Sequence, residues 1–209
     1  MNGVVPVAGA AADTAAPADP LARLHTWWNE ARASGAGVPD ALALATVTPD
    51  GEPANRVVVA KRIDHAGIVF VTSERSPKGR DLAVHPVAAA VLLWPEPLRQ
   101  VRVTGPVTML GDADSDDLFA AHSRLSQAGF IVSGQGQPID PAGLDELRRR
   151  TAEIAAGSGG LRRPATWHGY RLRPTAVEFW SSDPGRAHPR RRYTRTTPDG
   201  AWTVAMVQP

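Results

Sequence analysis

From Asp19 onward, apolar residues recur at helical spacing. In PLARLHTWWNEARASG, Leu21, Leu24, Trp27, Trp28 and Ala31 fall on one face, and Gly35 supplies a stop. The period then changes to two. ALALATVTPDGEPANRVVVAKRID alternates apolar and polar residues on both sides of Pro49, Asp50 and Gly51, which predicts a hairpin. GIVFVTS reads as a third strand, SPKGRDLAVHP as a helix of two or three turns ended by Pro86, and VAAAVLLWPE and RQVRVTGPVTML as two more strands. Ser115 to Ala128 is helical in composition. PAGLDELRRRTAEIAAG predicts another helix, with Glu146 and Arg150 four apart as a supporting pair. After a break at 157–160, ATWHGYRLRPTAVEFWSS and RRYTRTTPDGAWTVAMVQP return to strand patterning, the latter folded across Pro198, Asp199 and Gly200. Many short strands with tight connections predict a mainly β fold with α, an α+β antiparallel barrel or strongly curled sheet carrying peripheral helices. No internal repeat divides it. Residues 19–209 read as one domain behind a flexible tail, 1–18.

Composition narrows the class. The 209 residues are 43% hydrophobic and 21% charged, the balance of a soluble globular protein. No apolar run approaches the roughly 18 to 20 residues that span a bilayer, so no membrane segment is expected. The first residues are Ala-rich but lack the basic start of a secretory signal and carry Asp13 and Asp19. With no cysteine, disulfides and thiolate metal sites are excluded, and a cytoplasmic location is the expectation.

The net charge of +2 hides a local excess of cations, since Arg186, Arg190, Arg191, Arg192 and Arg195 fall close together. No zinc-finger, RRM or helix-turn-helix pattern accompanies them, which turns the expectation from nucleic acid toward a small anionic molecule. Three segments could hold one. NRVVVAK puts Arg56 and Lys61 at the two ends of a strand, where a spacing of five sends them to opposite faces; solvated strand ends are the plainer alternative. SERSPKGR gathers Ser73, Ser76, Lys78 and Arg80 where a strand hands over to a helix. Helix N-termini attract phosphate, though an ordinary capped start explains the same residues. EFWSSDPGRAHPRRRY combines Trp180 with Arg186, His188 and Arg190, groups that suit a planar anion or simply a solvated basic face. The six histidines, His25, His65, His85, His122, His168 and His188, show no metal-ligand spacing, so no metal is expected. Neither GxSxG nor a strand-bound GxGxxG occurs.

Taken in order, these pieces resemble the pyridoxine/pyridoxamine 5′-phosphate oxidase family. The resemblance rests on Arg56 through Lys61, Phe70-Val-Thr72 with Ser76-Pro-Lys78-Gly79-Arg80, Trp94-Pro-Glu96, Arg99-Gln100-Val-Arg102, Glu178-Phe-Trp180, Arg186-Ala-His188 and Arg190, and it runs from about Asp19 to Pro209. It implies an FMN-binding split β-barrel and a homodimer with FMN at the interface. It further implies a hydride transfer from a small aromatic anionic substrate to FMN, with dioxygen as the final acceptor and hydrogen peroxide as product. The implied cofactor contacts are Arg56, Val57, Val58, Val59, Ala60, Lys61, Val71, Thr72, Lys78, Gln100, Gln135, Trp180 and Arg190. Arg186 and His188 are the implied catalytic pair, and Lys61, His122 and Ser126 join them in holding substrate.

Several positions depart from the family pattern. Its phosphate clamp has a Lys at position 61, an aromatic hydroxyl at 118, an Arg at 122 and a Ser at 126, where this chain has Lys61, Leu118, His122 and Ser126. Losing a charge-assisted contact costs on the order of 1.5 to 3 kcal/mol, roughly tenfold to a hundredfold in affinity, unless Arg124 or a protonated His122 compensates. Pro77 replaces a second basic residue, for which Arg75 or Arg80 could substitute, and Gly136 replaces a Ser. A branch of the family that aromatises reduced phenazine carboxylates is one alternative. A flavin- or F420-binding split-barrel protein without oxidase turnover is another.

Overall fold

The computed structural model describes residues 19–35, 37–96 and 98–208; the predicted tail lies outside them. The first helix, α1 (Pro20–Ala33), starts where Asp19 accepts the Leu21 N–H at 2.9 Å and Pro20 occupies the first turn, where no N–H is needed. Its buried face is the predicted one, and Trp27 meets Phe179 edge-on at 5.1 Å.

The hairpin forms as β1 (Ala41–Val47) and β2 (Pro53–Val59), and GIVFVTS becomes β4 (Gly67–Ser73), paired with a short β3 (Arg62–Asp64). β2 ends at Val59, so Lys61 lies beyond the strand, its N–H bonded to the Val69 carbonyl. Strand alternation therefore does not relate it to Arg56, contrary to the expectation from spacing. Next come α2 (Pro77–Val84), β5 (Val87–Trp94) and β6 (Arg99–Met109).

The helical stretch divides into α3 (Asp112–Ala120) and α4 (Arg124–Val132), because the Ser123 hydroxyl caps a new helix by accepting the Ser126 N–H. On α5 (Pro141–Ala156) the ion pairs run from Arg149 to Glu146 and Glu153, and the predicted Glu146–Arg150 pair is replaced by this arrangement. Strands β7 (Trp167–Leu172), β8 (Ala176–Ser181), β9 (Arg190–Thr194) and β10 (Thr203–Val207) close the chain.

Every strand pair is antiparallel, in the order β10-β9-β8-β6-β5-β1-β2, with β7 and β4 branching from β6. β6 makes the branch possible: residues 99–104 pair with β8, and 107–109 pair with β7. Gly105 sits at the fork, where a Cβ would come within 2.2 Å of the Arg173 carbonyl, so only glycine lets the β7–β8 connection pass. The result is a curled half-barrel around one apolar core, including Leu44, Phe70, Leu92, Val103, Leu172 and Phe179, with the five helices of the described residues outside. Among the described residues no helix is long and apolar enough to cross a membrane.

Candidate functional site

Two polar groups form at different ends of the large sheet. The first gathers at the N-terminus of α2. Ser76 caps the helix by accepting the Gly79 N–H at 3.1 Å, and its hydroxyl lies 2.9 Å from that of Thr72 at the end of β4. Lys78 Nζ donates to Thr72 Oγ1 at 3.1 Å, and Gln135, from the α4–α5 loop, accepts from Thr72 Oγ1 and from the Ser73 N–H, both at 3.3 Å. Arg56 reaches in from β2, donating to Thr46 Oγ1 at 2.5 Å and to Asp81 at 3.3 Å, while Thr46 donates to Asp81 at 2.6 Å. Burial, and then the Arg56 charge, hold Lys78 below the ordinary lysine pKa against the opposing pull of Asp81. Two cations, two hydroxyls and a helix N-terminus thus converge, with one buried carboxylate beneath them.

Of the two basic residues expected to replace the side chain at position 77, Arg80 does not hydrogen-bond to this cradle. Arg80 folds back onto the Arg75 carbonyl. The departures at 77 and 136 are coupled instead: Gly136 has φ +82°, and a Cβ there would lie 2.4 Å from the Pro77 ring.

Beside the cradle, Trp28, Asp40, Lys61, Leu118 and His122 line a cavity of about 270 Å³, with Arg32 at its wall. Trp28 Nε1 donates to Asp40 at 2.7 Å, and the Arg32 guanidinium lies over the Trp28 ring at 4.8 Å. Burial lowers the Lys61 pKa and Asp40 works against the shift. The His122 ring packs edge-on against Phe130 and Trp167, with Nδ1 2.7 Å from the Leu118 carbonyl. Burial lowers its pKa; the Leu118 carbonyl opposes this and the Lys61 charge adds to it, so the charged ring is disfavoured. Arg124 is committed elsewhere, donating to the carbonyls of Ala155, Gly159 and Ile154 at the end of α5. Ser126 stands at the start of α4, its hydroxyl 3.0 Å from that of Ser123.

The second group lies on the outward face of β6, β8 and β9. Gln100, Trp180 and Arg190 are direct cross-strand partners and form one row. The Trp180 ring packs against His188 at 5.4 Å. Glu178, 5% exposed, pairs with Arg102 and Arg190 at 3.3 Å and with Arg192 at 2.7 Å. Its burial alone would raise the carboxyl pKa, but the Arg192 and Arg190 hydrogen bonds outweigh that and hold it below the usual range. Arg190 Nε is buried without a hydrogen-bond partner among the described residues. Arg186 is exposed.

Among the described residues no hydrogen bond or ion pair joins this row to the cradle. Four strands, β1, β5, β6 and β8, separate Arg56 on β2 from Arg190 on β9, roughly 24 Å measured along the curled sheet. On β2 itself Val57 and Val59 are 69% and 47% exposed, while Arg56 and Val58 point the other way; Ala60 is buried and Val71 is half-buried on β4. Asp40, Thr46, Asp81 and Glu178 carry no local signal as parts of these groups, because each acquires its partners only through contacts distant along the chain. Trp28 carried a signal, but one that reads as core.

Comparison with known proteins adds lineage to geometry. Residues 37–158 match the family model for pyridoxamine 5′-phosphate oxidase, and residues 167–209 match the pyridoxine 5′-phosphate oxidase C-terminal dimerisation region. The chain is 40% identical over 193 residues to a pyridoxine/pyridoxamine 5′-phosphate oxidase of Gluconobacter oxydans, covering 92% of this chain and 95% of that one. Its counterpart in Rhodopseudomonas palustris is 41% identical over 199 residues, covering 94% and 92%. Among solved structures, PhzG from Burkholderia lata 383 in complex with tetrahydrophenazine-1-carboxylic acid superposes with a TM-score of 0.86 at 34% identity, covering 93% of this chain and 95% of that one. A pyridoxamine 5′-phosphate oxidase-related, FMN-binding protein from Nostoc punctiforme shares the fold at a TM-score of 0.74 and 20% identity, covering 91% and 98%. The curled half-barrel is therefore the split barrel that the sequence resemblance implied.

Proposed function

The chain belongs to the pyridoxamine 5′-phosphate oxidase family, and from that premise we propose that it is an FMN-dependent oxidase working as a homodimer. The observation that carries the reading is the convergence of Arg56, Thr72, Ser76 and Lys78 at the N-terminus of α2, which has the donor set of a phosphate cradle. Gln135 steadies it, and the backbone from Val57 to Lys61 and the β4 residue Val71 run alongside. The cradle and the Gln100–Trp180–Arg190 row serve one FMN when the row comes from the second protomer. The exposed valines of β2 and the match of the C-terminal segment to a dimerisation region support that arrangement.

Bound FMN would supply a two-electron acceptor for a substrate hydride, with dioxygen taking the electrons on as hydrogen peroxide. The chain's own residues supply orientation. Lys61 meets the anionic group of the substrate, Trp28 and Leu118 wall the cavity against water, and Arg186 and His188 hold the ring from the partner side. His122, neutral and packed among aromatic rings, contributes shape rather than charge, and Ser126 offers a hydroxyl at the rim.

A second reading follows from that cavity. With Leu118 at its wall, His122 neutral and Arg124 turned away, Lys61 and Arg32 share the single carboxylate of Asp40. Such a balance suits a monoanionic carboxylate on an apolar ring better than a phosphate dianion, in keeping with the reduced phenazine carboxylate bound by the Burkholderia relative. Anaerobic flavin bleaching decides between them. The panel is pyridoxamine and pyridoxine 5′-phosphates, their unphosphorylated forms, and reduced phenazine carboxylates. Bleaching by the phosphates alone establishes the vitamer oxidase, bleaching by the carboxylates alone establishes the phenazine type, and a protein that stays colourless with added FMN overturns both.

A further inference from the structure

The segment between β8 and β9 holds two non-glycine residues in the left-handed region, Arg186 at φ 59° and His188 at φ 39°. Each such conformation costs on the order of 1 to 3 kcal/mol and persists only where the surroundings impose it. A single residue does so here. The Asp183 carboxylate accepts the Gly185 N–H at 3.2 Å on one oxygen and the Ala187 N–H at 3.1 Å on the other. Its carbonyl accepts the Arg186 N–H at 3.0 Å, and its own N–H donates to His188 Nδ1 at 3.2 Å. All four residues from 185 to 188 are thereby tied to one aspartate, while the Trp180 ring backs His188 from below.

We propose that Asp183 is a positioning residue: its carboxylate holds the loop in the strained form that presents Arg186 and His188, while its backbone N–H sets the His188 tautomer. Because Nδ1 accepts a backbone N–H, the neutral ring carries its proton on Nε2, so His188 faces the substrate as a hydrogen-bond donor. That makes it an orienting group and an electrophilic partner for a substrate oxygen or ring nitrogen, and removes it as a general base in this state. The inference rests on the proposed role of Arg186 and His188, but its structural half can be read without turnover.

The test uses FMN-loaded protein and three variants: Asp183→Ala, Asp183→Asn and Arg186→Ala. Imidazole ¹⁵N NMR of the parent is expected to show His188 as the single Nε2–H tautomer; Asp183→Ala keeps the backbone N–H but loses the carboxylate bonds to Gly185 and Ala187, so its backbone amide signals over 185–188 are expected to shift as the loop leaves its strained form. With flavin absorbance retained, kcat/KM should fall roughly tenfold in Asp183→Ala, mainly through KM, and by a smaller factor in Asp183→Asn, which keeps one acceptor oxygen. A parent with its proton on Nδ1, or an Asp183→Ala variant that keeps both its 185–188 amide signals and its kcat/KM, overturns the inference. If Arg186→Ala also leaves turnover unchanged, the proposed role of the loop fails as well. The amide signals then still decide what Asp183 does.

Discussion

The cradle at α2 and the loop after β8 are built on opposite principles. In the cradle, cations and hydroxyls are satisfied inside the chain: Lys78 by Thr72, Arg56 by Thr46 and Asp81, Thr72 by Ser76 and Gln135. Its geometry exists before any ligand arrives, and a helix terminus and a strand end fix it. The loop instead holds an exposed Arg186 and a strained His188. One region is finished within a single chain, while the other is held in a strained form with its cation in solvent. On the proposed reading, preorganisation belongs where affinity for the cofactor is set. Strain and exposure belong where substrates must come and go.

The largest effect should come from removing cradle charge. Lys78→Ala and Arg56→Ala should each weaken FMN binding by roughly tenfold to a hundredfold. Riboflavin, which lacks the phosphate, should be affected far less in a flavin fluorescence titration. Equal losses for both flavins would remove the distinction between the two regions.

On the other side of the comparison, Arg186→Ala and His188→Ala should keep bound flavin and lose roughly tenfold in kcat/KM. Loss of flavin from these variants would make the loop part of the cofactor site instead.

Gly136→Ala should lower the melting temperature by a few degrees and weaken FMN binding a fewfold, because φ +82° and the Pro77 ring both oppose a Cβ. Adding Pro77→Ala should return only the part due to the clash. An unchanged melting temperature would show the cradle to be more pliable than its hydrogen bonds suggest.

The smallest effect lies in the cavity beside the cradle. Burial lowers the His122 pKa in the folded state, so the unfolded chain binds the proton more readily. The stability this group contributes is present above the unfolded value of 6.5 and is lost as pH falls through the lower folded value. Melting temperatures measured from pH 7 to pH 5 should therefore decline less in His122→Phe than in the parent, by a degree or two. Parallel profiles would mean that the ring is not held neutral.

Much of the fold was legible in local patterns. α1, the β1–β2 hairpin and the β9–β10 pair follow from periodicity and Pro-Asp-Gly turns, because those signals act within a dozen residues. Ser123 was misread inside one helix, since a hydroxyl that caps and one that points to solvent look alike in a sequence. The Arg56–Lys61 relation failed because strand alternation ends where the strand ends, and β2 stops at Val59 under the pull of the Lys61 N–H toward β4.

Residue types and their order determined the family, the barrel class and the identities of the cradle cations, because these depend on chemistry that each segment carries alone. Only the tertiary structure decided which groups remain available. It sent Arg124 to the end of α5, buried His122 among aromatic rings, gave Arg56 its Asp81 and put four strands between Arg190 and Arg56. A side chain's charge is written in its formula, but its partners, burial and distance from a second charge are properties of the packed chain.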